Sequence, residues 1–209
     1  MDFQERKSLL DVLKSCGKEK DLSTTTRVHV DIEEIISKDV CIGTALLSAY
    51  AKCGALEKAQ EVFEKLSVRD TISWNALISA YGLKGLHEKS LDCFKQMQEE
   101  NVNPNSVTYI CILKACAHVG SLSIVDDINV EVRKQGLLTK DVALGNVLVD
   151  MYAKHGALKK AREVFEELPI RNVVSWTTII TGYLQHGFEF EALKCFKQMQ
   201  DEGISPDSI

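Results

Sequence analysis

The chain has 209 residues, 45% of them hydrophobic, and carries 25 Lys and Arg against 30 Asp and Glu, a net charge of −5. That balance argues against general, charge-driven nucleic-acid binding, for which proteins are usually basic, and holds non-specific phosphate affinity to a modest level. No apolar run approaches the roughly 20 residues of a membrane-spanning helix, and the opening MDFQERKSLL has neither a signal-peptide core nor the acid-free, Arg/Ser-rich character of a transit segment.

Residues 6–39 begin with a loose helical pattern, containing DVLKSCGKEKDL and ending IEEIISKD. Residues 40–70 read VCIGTALLSAYAKCGALEKAQEVFEKLSVRD. Ala45, Leu46, Ala49 and Tyr50 have the spacing of an amphipathic helix, and Gly54 stands where glycine ends one. Leu56, Ala59, Val62, Phe63 and Leu66 then share one face of a second helix. Such a hairpin cannot bury its apolar faces alone, so neighbours must stack on it.

Residues 71–105 predict two more helices, with Pro104 blocking further propagation. Residues 106–141 return to the looser pattern of 6–39, with CILKACAHVGSL in place of DVLKSCGKEKDL. Residues 142–172, VALGNVLVDMYAKHGALKKAREVFEELPIRN, match 40–70 at about 17 of about 31 positions, at an offset of about 102. Residues 173–207 repeat 71–105 at the same offset, with Pro206 in the place of Pro104. The chain therefore reads as six hairpins in a three-part pattern used twice. Function in such an array is read from equivalent positions of successive units.

Cys16, Cys41, Cys53, Cys93, Cys111, Cys116 and Cys195 form no CxxC pair, and two pairs of them recur with the repeat. They read as small hydrophobes, not as a disulfide framework. The histidines form no HxxxH or HExxH, and His155 stands where the earlier copy has Cys53. Neither a metal site nor a cofactor is expected. Trp74 and Trp176 fall within the apolar pattern and are assigned to the core.

These units resemble pentatricopeptide repeats (PPR), specifically the plant PLS subclass. SWNALISAY and SWTTIITGY, with CFKQMQ and a terminal PN or PD, resemble P-type motifs. AYAKCGALEKAQEVFEKL and MYAKHGALKKAREVFEEL resemble S-type motifs, and CILKACAHVGSL and DVLKSCGKEKDL resemble L-type motifs. The implied order is L (6–39), S (40–70), P (71–105), L (106–141), S (142–172), P (173–207). The resemblance implies an all-α fold, a right-handed α-solenoid (superhelix) of stacked helix-turn-helix repeats. The W-x2-L-G-x2-Y pattern of the tetratricopeptide repeat is absent.

The resemblance also implies single-stranded RNA as the partner, bound one base per repeat, with the fifth and last residues of each motif selecting the base. Those pairs are Leu10 and Asp39, Thr44 and Asp70, Asn75 and Asn105, Ile110 and Asp141, Asn146 and Asn172, Thr177 and Asp207. An ionised Asp is acceptor-only and suits the N1–H and N2–H donors of guanine, with threonine in support. An Asn pair offers donors and acceptors and suits pyrimidines, cytosine before uracil. Leu10 and Ile110 carry no polar side-chain atom, so their repeats are expected to discriminate weakly. The implied site is 5′-N-G-Y-N-Y-G-3′.

By the same resemblance the second residue of each motif wedges between bases: Cys41, Ile72, Val107, Ala143 and Val174, with Lys7 departing from the apolar pattern. Lys52 and Lys154 match a phosphate-contacting lysine. Plainer roles stand beside these. Asp39, Asp70, Asp141 and Asp207 each precede a helix and suit N-caps, the Asn and Thr residues suit a solvated helix face, and the lysines suit an ordinary charged surface.

In function the resemblance implies a specificity module for C-to-U RNA editing in mitochondria or chloroplasts. The deaminase that supplies the chemistry in that family has His-x-Glu and Pro-Cys-x-x-Cys motifs, and neither occurs here, so no enzyme activity is expected of this chain. It would place a target cytidine for a deaminase domain or editing cofactor supplied elsewhere. Ser208 and Ile209 read as the opening of a further L-type repeat. The alternative is a protein-interaction solenoid, binding an editing cofactor through the Leu10 and Ile110 repeats or self-associating end to end.

Overall fold

The computed structural model describes residues 3–205. All regular structure among them is α-helical, in chain order α1 (Phe3–Glu19), α2 (Leu22–Ile36), α3 (Val40–Cys53), α4 (Leu56–Lys65), α5 (Thr71–Leu83), α6 (His87–Glu99), α7 (Ser106–Val119), α8 (Leu122–Lys134), α9 (Val142–Lys154), α10 (Leu158–Glu167), α11 (Val173–Gln185) and α12 (Glu189–Asp201). The chain forms two compact units, Met1–Ile112 and Leu113–Ile209.

In the first unit α3 packs against α1, α2, α4 and α5, so it is covered on most sides. Ile42, Leu46, Leu47, Ala49 and Tyr50 are buried as a result. Ala45, which the spacing places in the core, is instead half-exposed, because the buried face turns toward Leu46 and Leu47. The outer helix α4 has one neighbourly face only. Leu56, Ala59, Val62 and Phe63 are buried there, while Glu57, Glu61 and Glu64 face water, the division expected of an amphipathic helix.

Each inner helix is started and stopped by its own residues. The φ of Gly54 is +76°, a left-handed conformation that glycine adopts without steric cost. It lets the Ala55 N–H reach back to the Tyr50 carbonyl at 3.0 Å, and Ala157 does the same to Tyr152 at 2.9 Å in the second unit. Gly43 and Gly145 are needed for space: a Cβ there would lie 2.4 and 2.2 Å from the Leu66 and Leu168 side chains.

Across hairpins the core is closed by an aromatic pair that occurs once in each unit. Phe63 meets Trp74 edge-on at 4.6 Å between ring centres, and Phe165 meets Trp176 at 4.7 Å. On the outer surface Lys65–Glu33 (2.9 Å) and Arg69–Glu100 (2.8 Å) join successive hairpins of the first unit, and Lys160–Asp126 (2.7 Å) and Arg171–Glu202 (3.2 Å) those of the second. At this exposure such pairs fix register more than they stabilise.

Candidate nucleic-acid interface

The last residue of each of the first five predicted repeats caps the helix that follows it. One side-chain oxygen accepts the backbone N–H three residues on: Asp39 from Ile42 (3.2 Å), Asp70 from Ser73 (2.8 Å), Asn105 from Thr108 (3.1 Å), Asp141 from Leu144 (3.2 Å) and Asn172 from Ser175 (3.0 Å). The cap satisfies an orphan donor of the first turn. It also holds the second side-chain atom in a set orientation: a carboxylate oxygen for Asp, an NH2 group for Asn. Asp207 lies outside the described residues.

The open atom is not equally available. Among the described residues no group donates to the second oxygen of Asp70, whereas at Asp39 the Arg6 guanidinium takes both oxygens, with Arg6 Nη2 to Oδ1 at 3.0 Å. The hydrogen bond from Arg6 holds the Asp39 carboxyl below the usual carboxylate range. Both Asp39 oxygens therefore already accept from the protein, which leaves less acceptor capacity than at Asp70.

The fifth residues sit one helical turn further in. Thr44, Asn75 and Asn146 are only 7%, 9% and 8% exposed, while Thr177 is exposed and Leu10 and Ile110 are half-exposed. Thr44 Oγ1 and Asn146 Oδ1, equivalent positions of the two units, have no hydrogen-bond partner among the described residues. Buried polar atoms are nearly always paired, so these two are exceptions that ask for a ligand or solvent group. Asn75 differs: its Nδ2 donates to Asn105 Oδ1 at 3.1 Å and its Oδ1 accepts from the Thr108 hydroxyl at 2.6 Å.

The second residues, Cys41, Ile72, Val107, Ala143 and Val174, are all exposed at the starts of their helices. An apolar side chain left in water at the same point of five successive inner helices is a periodic surface feature that core packing does not require. In the first unit Leu10, Cys41, Thr44, Lys52, Asp70 and Ile72 line one open cavity of about 350 Å³. In the second unit Val174 and Thr177 line another of about 400 Å³, with Asp150 and Gln185.

The two lysines part company. Lys52 is exposed and makes no ion pair with the described residues, whereas Lys154 is paired with Asp150 at 2.7 Å on its own helix. Cys93 and Cys116 are buried, which pushes each thiol up to about 11; Cys41 is the exposed cysteine. Among the described residues no group of three or more His, Cys, Asp or Glu side chains is placed to hold a metal ion. None of the described helices is long and apolar enough to cross a membrane.

Sequence reasoning missed Arg6 and Thr108. Arg6 joins Asp39 across 33 residues, a pairing without a local signature. Thr108 had one: Asn105 followed three residues later by a hydroxyl residue is a capping pattern, and the Asn105 N–H does donate to Thr108 Oγ1 at 3.1 Å.

Stacked helical hairpins, with a capping Asp or Asn before five successive inner helices, define a helical-repeat protein. The PPR repeat family models match residues 69–118 and 171–209, and residues 44–70 and 146–173. The chain belongs to the pentatricopeptide repeat family. It is 38% identical over 212 residues to the pentatricopeptide repeat-containing protein At4g25270, chloroplastic, of Arabidopsis thaliana, covering 100% of this chain and 40% of that protein. It is 46% identical over 179 residues to At5g56310 of the same plant, covering 85% of this chain and 34% of that one. The chain thus spans about a third of the length of these relatives. The crystal structure of the pentatricopeptide repeat protein PPR10 from maize superposes with a TM-score of 0.78 at 20% identity, over 96% of this chain and 29% of that one. PPR10 in complex with an 18-nt psaJ RNA element superposes with a TM-score of 0.69 at 19% identity, over 93% of this chain and 29% of that one.

Proposed function

We propose that this chain is a sequence-selective single-stranded RNA-binding segment that reads 5′-N-G-Y-N-Y-G-3′ through six repeats of L, S, P, L, S, P type with the boundaries given above. The observation that carries the reading is the unpartnered, buried oxygen at Thr44 and again at Asn146, beside a capped terminal residue and an exposed apolar one. A base supplies what each position lacks: a donor to the orphan oxygen, an edge for the open terminal atom, and a flat apolar face for the second residue. The RNA held by the fold neighbour PPR10 supports the same class of ligand. Within the full-length protein the segment would address a C-to-U editing site in a chloroplast or mitochondrion. The chloroplastic names of several relatives favour the former. Half-exposed Leu10 and Ile110, apolar where the other repeats are polar, suit contact with an editing cofactor protein or a deaminase domain.

Two measurements test this reading. Affinity for a short single-stranded RNA should fall with salt, and Lys52→Ala should lower the slope of log K against log salt by about 1. Lys154→Ala should change it less, because Asp150 already neutralises that lysine. Equal affinity for duplex RNA, or no salt dependence, would contradict the reading. Maleimide should alkylate Cys41 ahead of buried Cys16, Cys93, Cys116 and Cys195, and bound RNA should slow the Cys41 reaction several-fold. An unchanged rate at saturating RNA would remove Cys41 from the interface.

A further inference from the structure

We infer that Thr108 is a specificity-determining residue, one that makes the Asn75–Asn105 repeat tolerant of uracil while the otherwise identical Asn146–Asn172 repeat insists on cytosine. The inference rests on the RNA-reading assignment above and goes beyond it, since both repeats carry the same pair of reading residues.

The difference lies in where two hydroxyls point. Thr108 is fully buried. Its O–H lies 2.6 Å from Asn75 Oδ1, its Oγ1 accepts the Asn105 N–H at 3.1 Å, and Asn75 Nδ2 donates to Asn105 Oδ1 at 3.1 Å. Asn105 Oδ1 also caps the Thr108 N–H. Both amide oxygens of this pair already accept inside the protein, Asn105 Oδ1 from two N–H groups and Asn75 Oδ1 from one hydroxyl, so the pair turns mainly N–H groups toward a base. In the second unit Ser175 stands in the equivalent place. Its hydroxyl bonds Asn172 Oδ1 at 3.1 Å and does not reach Asn146, whose Oδ1 is left without a partner. That pair offers an acceptor from Asn146 and a donor from Asn172.

Cytosine presents, along its Watson–Crick edge, the N4 amino donor and then the N3 acceptor. Uracil presents the O4 acceptor and then the N3–H donor. An acceptor beside a donor matches cytosine at both points and opposes uracil at both. Two donors match one point and oppose one point of either base. The terminal Asn alone then favours cytosine at N3, and the amide of Asn75 offsets that preference at the 4-position.

The test compares three single-stranded RNAs, GCNCG, GUNCG and GCNUG, on the wild-type chain and on Thr108→Val and Thr108→Ser. In the wild type, uracil at the second base of this series should weaken binding by less than about twofold, and uracil at the fourth by about fivefold or more, the factor one neutral hydrogen bond supplies. Thr108→Val removes the hydroxyl and frees Asn75 Oδ1, so the GUNCG penalty should rise toward that of GCNUG. Thr108→Ser keeps the hydroxyl and both of its hydrogen bonds, so its GUNCG penalty should stay at the wild-type level. Equal uracil penalties in the wild type would overturn the inference even while both flanking guanines are still preferred over adenine. A GUNCG penalty unchanged in folded Thr108→Val would overturn it too. Absence of guanine preference at both flanks would overturn the RNA-reading assignment itself, and this inference with it.

Discussion

Replacing Asp70 with Asn should move the preferred base at its repeat from guanine to adenine, changing the G:A ratio by about tenfold or more, the scale of a matched base contact. The substitution is isosteric, and Asn caps a helix as well as Asp does, so Oδ1 should keep the Ser73 N–H that it now holds at 2.8 Å. The atom that changes is the open one. A carboxylate oxygen accepts the N1–H or N2–H of guanine; an NH2 group faces those donors and instead matches the N1 acceptor of adenine. Binding of the variant to RNAs differing only at that base, beside its circular dichroism, is the measurement. A preference unmoved in a folded variant would mean that Asp70 is a cap and nothing more.

Trp74→Ala should cost about 3–5 kcal/mol of stability, the usual loss for a buried tryptophan. The indole is fully buried and meets Phe63 edge-on at 4.6 Å, joining the outer helix of one hairpin to the inner helix of the next. In a repeat array, where stability is a sum of units and their interfaces, that loss should also broaden urea unfolding as neighbouring hairpins uncouple. Trp74→Phe should cost only about 1–2 kcal/mol. It keeps the ring contact, and Trp74 Nε1 has no hydrogen-bond partner to lose. Equal costs for the two substitutions would show that the indole N–H has a partner, such as buried water. Trp176, with Phe165 at 4.7 Å, should behave alike.

The helices were legible because their causes are local. The 3.6-residue spacing of Leu56, Ala59, Val62 and Phe63 and the stop at Gly54 each specify one feature from adjacent residues, and α3 and α4 end and begin where these place them. Ala45 was misassigned because a helix with four neighbours buries most of its circumference, and periodicity then loses its direction. The terminal Asp and Asn residues seemed to pose a choice between capping and base reading. The geometry shows the capping and is compatible with the proposed reading, since the cap occupies one atom and orients the other. Illegible were the contacts that decide whether the second atom is free. Arg6 on Asp39 and Thr108 on Asn75 each join residues 33 apart in sequence, and only the stacking of hairpins brings them together. Lys154 and Asp150 lie one turn apart on α9, so their pairing was readable from spacing alone.

The most direct test of the account is the affinity of this chain for single-stranded GCNCG against ACNCA at two salt concentrations. The account predicts tighter binding to GCNCG at both, with absolute affinity falling and the preference persisting as salt rises, because phosphate contacts are screened and base contacts are not. Changing Asp70 and Asp207 together to Asn should reverse the preference. Equal affinity for the two RNAs, or binding to neither, would contradict the assignment of Thr44, Asp70, Thr177 and Asp207 as readers of guanine.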